Sequence, residues 1–297
     1  MLIAAIVGPN IAQRRVAGAG VPIVIPGPPA VGDCVTSVPD VISQMRDGNF
    51  GVADQIDLPT ALYGPCGGRI AGEVSYVIGD AGSSARVPAP QYQDQLSQCG
   101  LDTLGYTGSV PPIVNGASGQ PGLVWSSAVN FQVISVGPSP LQRRAGQRWS
   151  ACVVGGPAAH PYKGRLHDVL TSGLLPATFA SCWNSDALLD SGQVRCDRPH
   201  AVELLATTGL GSTPHTAPDV RRSCSVYAGR TMRSADPDRG GALRFEIVDF
   251  RDTVTVVPPS ASQVLQETFI GCLAVARDGL QLSGSLVGVG DGPLPTG

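Results

Sequence analysis

The segment that decides the fold of this 297-residue chain is Cys196-Asp197-Arg198-Pro199-His200-Ala201-Val202-Glu203-Leu204. A weaker copy lies upstream, at Cys66-Gly67-Gly68-Arg69-Ile70-Ala71-Gly72-Glu73-Val74. In both segments a glutamate stands seven residues after the cysteine, and an aliphatic residue follows the glutamate. Such an internal echo indicates that the chain contains a repeat.

The positions of the cysteines extend this internal similarity over most of the chain. They form two series of four, with shrinking offsets between corresponding members: Cys34, Cys66, Cys99 and Cys152, then Cys182, Cys196, Cys224 and Cys272. Gly164-Arg165-Leu166 and Gly284-Ser285-Leu286 begin at the same distance after the fourth cysteine of each series. We therefore predict two tandem disulfide-bonded units, residues 32–176 and 177–297. Each is expected to be an α+β unit with a small mixed or antiparallel sheet and one main helix.

Hydrophobic periodicity places the elements of each unit. The 38 glycines and 26 prolines predict many turns in a folded chain, and a loop is expected over residues 108–122. Helices are expected at residues 91–104 and 217–232. Strands are expected at residues 70–78, 129–136 and 148–154 in the first unit and at 194–206, 243–250, 253–257 and 268–276 in the second.

Widely spaced cysteines without a C-x-x-C pair favour structural disulfides over a zinc site. Disulfides persist outside the reducing cytoplasm, so an extracytoplasmic location is expected; buried free thiols are the alternative. A pairing that stays within each unit and is alike in both leaves three patterns. We prefer Cys34–Cys66, Cys99–Cys152, Cys182–Cys196 and Cys224–Cys272, because joining the third cysteine of a unit to the fourth would pin a helix to a strand. The other two symmetric patterns stay open.

Residues 1–31 are predicted to be the remnant of a membrane anchor followed by a Gly/Pro-rich linker. Residues 1–7 are apolar but fall short of the ~20 residues that a membrane span needs, and no basic residue precedes them. They resemble the end of a longer hydrophobic segment, and a short strand or a frayed end is the alternative. A net charge of −3 provides no basic surface for nucleic acid, so no nucleic-acid partner is expected.

His200 is the strongest candidate for chemistry, with Asp197 and Glu203 three residues away on either side. In a strand this spacing puts the imidazole on the face opposite both carboxylates, so a structural role beside the disulfide is favoured. Pro199, Glu203 and the matching Glu73 are interpreted in the same way, with Glu73 bonded to an arginine such as Arg148. No catalytic residue, metal or cofactor is expected.

Several of these motifs together resemble the septum formation domain family of actinobacteria. They are Gly32-Asp33-Cys34, Cys196-x-x-Pro199-His200-x-x-Glu203, a helix carrying a cysteine, and Gly146-Gln147-Arg148-Trp149-x-x-Cys152. The resemblance covers nearly all of the chain from Gly32 onward, as two copies. The first copy has Gly67-Gly68-Arg69-Ile70 where Pro-His is expected, and the second has Ser181-Cys182 in place of Gly-Asp-Cys. A function carried by Pro-His would therefore belong to the second copy alone.

The resemblance implies a non-enzymatic, extracytoplasmic protein of the cell envelope, tethered to the plasma membrane by an N-terminal helix. Its expected partners are envelope or division proteins. The alternative is a ligand-binding module for cell-wall glycan or lipid, which predicts an apolar pocket with convergent polar groups in the cleft between the units. A hydrolase using His200 is the third hypothesis.

Overall fold

The computed structural model describes most of the chain from residue 24 onward. The described ranges are 24–38, 55–79, 86–108, 113–114, 123–156, 160–171, 175–185, 192–250, 256–257, 259–260, 263–266, 268–277 and 279–297. The predicted anchor, at residues 1–7, and the following residues as far as 23, which include the first part of the linker, lie outside these residues. Within them, no helix combines the length and the apolar character needed to cross a membrane.

The fold of the described residues is α+β, with mostly antiparallel sheets. The strands in the first part of the chain are β1 (Cys34–Ser37), β2 (Gln55–Asp57), β3 (Leu62–Gly64), β4 (Gly72–Ile78), β5 (Arg86–Pro88), β6 (Ile113–Val114), β7 (Val124–Ser127), β8 (Gln132–Val136) and β9 (Ser150–Gly155). Those in the second are β10 (Ser181–Trp183), β11 (Gln193–Val194), β12 (Val202–Gly209), β13 (His215–Thr216), β14 (Leu243–Phe250), β15 (Val256–Val257), β16 (Val264–Leu265) and β17 (Phe269–Ala276). The α-helices are α1 (Ala89–Tyr106), α2 (Pro140–Arg144) and α3 (Ala217–Met232).

Two antiparallel sheets form the framework. The first has the strand order β3-β1-β4-β9-β8, and the second has the order β11-β10-β12-β17-β14-β15. The β6–β7 hairpin joins the second sheet, where β7 pairs with β12. Two short ladders, β2–β5 and β13–β16, lie apart from these sheets. In each sheet the segment that carries the motif glutamate is the central strand, β4 or β12.

Helices α1 and α3 each bury one face that carries a cysteine. The hydroxyl of Thr216 caps α3 by accepting a hydrogen bond from the backbone N–H of Asp219, and the helix ends at Arg233, whose φ of 56° lies in the left-handed region. The buried side chains of both helices recur at helical spacing. They are Tyr92, Cys99, Thr103 and Tyr106 on α1 and Ala217, Val220, Cys224, Tyr227, Ala228, Thr231 and Met232 on α3.

Four disulfides connect these elements, and their pairs are those preferred from the sequence: Cys34–Cys66, Cys99–Cys152, Cys182–Cys196 and Cys224–Cys272. No cysteine is free. Two of the bridges join α1 to β9 and α3 to β17, so each main helix is pinned to its sheet. Such bridges each contribute about 3–4 kcal/mol in the chain-entropy account, which assigns the gain to the restricted unfolded chain.

Two of the predicted segments differ in kind from the structure. The expected loop over residues 108–122 contains β6 and leads into β7. Strand β7 pairs with β12, which is distant in the chain, so the local sequence does not indicate this pairing. The expected strand over residues 194–206 is two strands with a turn between them. That turn is closed by a hydrogen bond of 2.9 Å from the Arg198 N–H to the Arg195 carbonyl, and Pro199, which follows, has no N–H to donate to a ladder.

One apolar core spans the two sheets. Trp125 on β7 is fully buried, and its indole N–H donates to the hydroxyl of Ser223 on α3 at 2.9 Å. Phe179, which is also fully buried, packs edge-on against Tyr162 at 4.8 Å between ring centroids and lies 5.3 Å from Phe131. Residues before and after the predicted boundary at 176 are therefore packed together.

Candidate functional site

The two motif segments occupy matching places in their sheets. Cys34 lies opposite Glu73 in the β1–β4 ladder, and Cys182 lies opposite Glu203 in the β10–β12 ladder. In both central strands the ladder with the next strand, β9 or β17, has an irregularity one to three residues beyond the glutamate. Such a β-bulge increases the local twist, and here it falls at the same position in both sheets.

Glu73 is a completely buried carboxylate with four donors. The hydroxyls of Tyr106 and Tyr162 donate to it at 2.6 and 3.2 Å. The guanidinium Nε of Arg165 donates at 3.1 Å and forms an ion pair, and the backbone N–H of Leu166 donates at 2.8 Å. This number of donors, one of them cationic, compensates for the loss of hydration of the buried charge.

Glu203 is equally buried but has fewer donors. The hydroxyl of Ser285 donates to one carboxylate oxygen at 2.7 Å, and the backbone N–H of Leu286 donates to the other at 2.7 Å. Ser285 stands at the position that corresponds to Arg165, so the ion pair of the first sheet is replaced by a neutral contact. Burial raises the pKa of Glu203 to about 7, and the two hydrogen bonds oppose part of that rise.

Glu73 also changes the tyrosines around it. Burial raises the pKa of Tyr162 above its usual value of 10.0, and the negative charge of Glu73 raises it further. Tyr106 is shifted in the same direction, first by burial and then by its hydrogen bond to Glu73. Both phenols therefore remain donors to Glu73 over the physiological pH range.

His200 is completely buried and lies beside the Cys182–Cys196 disulfide. Its Nδ1 is 2.8 Å from the carbonyl oxygen of Arg198, which assigns the ring proton to that nitrogen. Burial lowers the pKa of the imidazole, which favours the neutral ring, and the hydrogen bond to the Arg198 carbonyl opposes this shift. Among the described residues the other ring nitrogen, Nε2, has no hydrogen-bond partner.

The two carboxylates near His200 in sequence are bonded elsewhere. Asp197 forms an ion pair with Arg195 at 2.5 Å, and this contact holds the pKa of Asp197 below its usual value. Glu203 is bonded to the loop after β17, as described above. Pro199 is exposed in the turn. The motif residues therefore form no triad that links a carboxylate to the imidazole.

The sequence singled out Glu73 and Glu203 as matched structural residues but missed their partners. The prediction that Arg148 pairs with Glu73 is wrong. Arg148 is exposed, and the ion pair to Glu73 is made by Arg165. The equal spacing of Gly164-Arg165-Leu166 and Gly284-Ser285-Leu286 could have indicated these partners. The last two residues of the first triplet donate to Glu73, and the last two of the second donate to Glu203. Tyr106 and Tyr162 gave no comparable signal, since their contacts depend on how the helix and the loop pack.

An open recess of about 260 Å³ lies where the two predicted units meet. Its lining includes Asn130, His160, Thr178, Ala180, Gln193 and Arg195, and we call it the junction recess. His160 is exposed. The amide nitrogen of Asn130 donates to the hydroxyl of Ser181 at 3.1 Å, which ties one wall to β10. The recess thus offers amide, imidazole and guanidinium groups around small apolar side chains.

No family model, no curated protein and no solved structure matches this chain. The resemblance to the septum formation domain family therefore stays a prediction.

Proposed function

We propose that the chain consists of two copies of one structural unit. The support is that the strand order β3-β1-β4-β9-β8 corresponds position by position to β11-β10-β12-β17-β14. The bulge in the central strand, the cysteine opposite the glutamate and the loop amide that binds this glutamate recur as well. Such a set of non-local features is hard to obtain without duplication of one unit.

We further propose that these units face an oxidising compartment outside the plasma membrane. The support is the set of four disulfides, which are characteristic of exported proteins. Membrane attachment through the predicted segment of residues 1–31 belongs to the same proposal.

Within the envelope we assign the chain a non-enzymatic role as an interaction module associated with septation or division. The observation that supports the non-enzymatic part of this role is the complete burial of Glu73, Glu203 and His200, the candidate residues for chemistry. The association with septation rests on the resemblance to the septum formation domain family. A substrate in solution cannot reach them, so their role is to hold the architecture. The interaction is therefore assigned to the surface of the protein. Val124 and Phe269 are 46% and 64% exposed there, beside the last residues of β12.

The test uses cells that make the protein with an epitope tag after Gly297. The tag should be reached by antibody without permeabilising the plasma membrane, and it should concentrate at division sites. Phe269→Ser should disperse the septal signal while leaving the folded chain intact, and Leu62→Ser, also exposed on the first sheet, serves as the control. A tag protected by the plasma membrane would contradict the location. A uniform distribution would contradict the role in division.

The junction recess favours a second candidate, the binding of a cell-wall glycan. Its amide and guanidinium groups suit the hydroxyl and acetamido groups of a sugar, and its volume of about 260 Å³ suits one or two rings. Cosedimentation with purified cell-wall glycan should be lost with Gln193→Ala and Arg195→Glu. It should be retained with Arg222→Glu, whose side chain is 76% exposed on α3. Equal binding by all three variants, or binding to lipid vesicles in place of glycan, would reject this candidate.

A further inference from the structure

Three potential metal ligands, Cys182, Cys196 and His200, lie close together in the buried part of the second sheet. Cys182 and Cys196 are joined as a disulfide, and one ligand atom from each of them and from His200 lies within 4.8 Å of the other two. All three residues are completely buried. The Nδ1 of His200 is used by the Arg198 carbonyl, so Nε2 keeps a lone pair, which has no partner among the described residues. A buried imidazole nitrogen without a partner needs an explanation, because such groups are normally hydrogen-bonded.

We propose that Cys182, Cys196 and His200 form a latent Zn²⁺ site that becomes available when the Cys182–Cys196 disulfide is reduced. Reduction by a dithiol transfers two electrons and two protons to the sulfur pair, breaks the S–S bond and leaves the reductant as a disulfide. Zn²⁺ then replaces the two thiol protons, which pass to solvent, and accepts the lone pair of His200 Nε2. The proposal goes beyond the interaction role, which does not depend on it. It concerns the chain while this bridge is open, since the oxidising compartment proposed above keeps the bridge closed.

The chemistry of the three ligands suits zinc. Thiolate sulfur and neutral imidazole are its usual ligands, at about 2.3 Å and about 2.0–2.1 Å, and a fourth position is left for water. One divalent cation and two thiolates sum to zero charge, which lowers the cost of burying the site. The Cα atoms of the two cysteines are 5.4 Å apart, so side-chain rotation can open the sulfur pair to the spacing of two zinc ligands.

The first unit provides a natural comparison. Ile70 exchanges backbone hydrogen bonds with Tyr162, as His200 does with Leu282, so Ile70 occupies the place of His200 beside the Cys34–Cys66 disulfide. Ile70 is completely buried as well. The first unit therefore has the sulfur pair without the imidazole, and the site is assigned to the second unit alone.

The test measures binding of Co²⁺, an optical substitute for Zn²⁺, to the full chain. A phosphine is used as the reductant, because a dithiol would itself bind zinc; it takes the oxygen of water and becomes a phosphine oxide. The reduced chain should bind one Co²⁺ with a sulfur-to-cobalt charge-transfer band, and Zn²⁺ should displace it. Zn²⁺ should also raise the melting temperature of the reduced chain, since a ligand stabilises the state that binds it. The oxidised chain should show neither effect.

Variants separate this site from other thiols. His200→Ile, which copies the first unit, should weaken binding by at least about tenfold. Cys182→Ser/Cys196→Ser should abolish the charge-transfer band, whereas Cys34→Ser/Cys66→Ser should retain it. Equal binding by the His200→Ile variant, loss of binding in the Cys34→Ser/Cys66→Ser variant, or a reduced wild-type chain that neither binds nor is stabilised by Zn²⁺ would overturn the proposal.

Discussion

The backbone N–H of Leu286 donates a hydrogen bond of 2.7 Å to the buried carboxylate of Glu203. In the first sheet the N–H of Leu166 makes the same contact with Glu73 at 2.8 Å. Each contact ties the central strand of a sheet to the loop that follows its neighbouring strand. The surroundings differ, since Glu73 has a cationic partner in Arg165 and Glu203 has Ser285. The two glutamates are therefore expected to respond differently to substitution and to pH.

Replacing Glu203 by glutamine should remove a pH dependence of stability. Its folded-state pKa of about 7 lies above the ordinary value of 4.5, so the folded state favours the protonated form. The stabilisation is complete below about pH 4.5 and is lost as the pH rises through 7, by roughly 3 kcal/mol. Urea unfolding at pH 5 and pH 8 should show this loss in the wild type and a flatter profile in Glu203→Gln.

Glu246→Gln is the matched control, because Glu246 is partly exposed and paired with Arg221. A change of the same size in this variant would show that the effect is not specific to Glu203. An unaltered pH profile in Glu203→Gln would show that Glu203 is not the titrating group.

Replacing Glu73 by glutamine should destabilise the chain at neutral pH by about 2 kcal/mol. The substitution leaves Arg165 without its ion-pair partner and weakens the hydrogen bonds from Tyr106 and Tyr162. Arg165→Gln should cost less, because the Arg165 side chain is 47% exposed and can be hydrated. Urea denaturation of both variants provides the comparison. A smaller loss in Glu73→Gln than in Arg165→Gln would contradict the central role of the carboxylate.

Removing Trp125 should destabilise the second sheet, although this residue precedes residue 177. Trp125→Ala leaves a large cavity beneath α3 and should cost about 3–5 kcal/mol of unfolding free energy. Val124→Ala alters the exposed neighbour and should cost under about 0.5 kcal/mol. For the same reason a fragment of residues 177–297 should not fold, because it lacks β7. Cooperative thermal unfolding of that fragment would disprove this dependence.

The free energy of unfolding that is lost when a disulfide is removed should depend on the length of the loop that the disulfide closes. The Cys99–Cys152 bridge spans a sequence separation of 53 residues and Cys182–Cys196 spans 14. Removing the first should cost about 1 kcal/mol more than removing the second if chain entropy dominates. Thermal unfolding of the paired Cys→Ala variants measures this difference.

Peptide mapping without reduction should recover all four cross-links, and a cross-link between the two cysteine series would contradict the arrangement.

The sequence by itself determined the features that depend on local pattern and on cysteine spacing. The expected helix at residues 217–232 is α3, and the expected helix at residues 91–104 lies within α1. Equal pairing in both cysteine series left three patterns, and the preferred one, which pins a helix to a strand in each unit, is the one in the structure. The recurrence of Glu73 and Glu203 at matched positions indicated a structural role, whereas their complete burial appears only in the structure.

Only the tertiary structure decided which groups meet across the chain. Hydrogen-bond partners such as Arg165 for Glu73 and Ser285 for Glu203 lie more than eighty residues away, and spacing alone does not encode direction or distance. The pairing of β7 with β12 likewise joins residues that are far apart in the chain. It uses backbone groups of β12 at Ala206 and Thr207, beyond the residues that pair with β10. The burial of His200 near the Cys182–Cys196 disulfide likewise depends on the packed interior, because burial and partners are set by distance in space and not by distance along the chain.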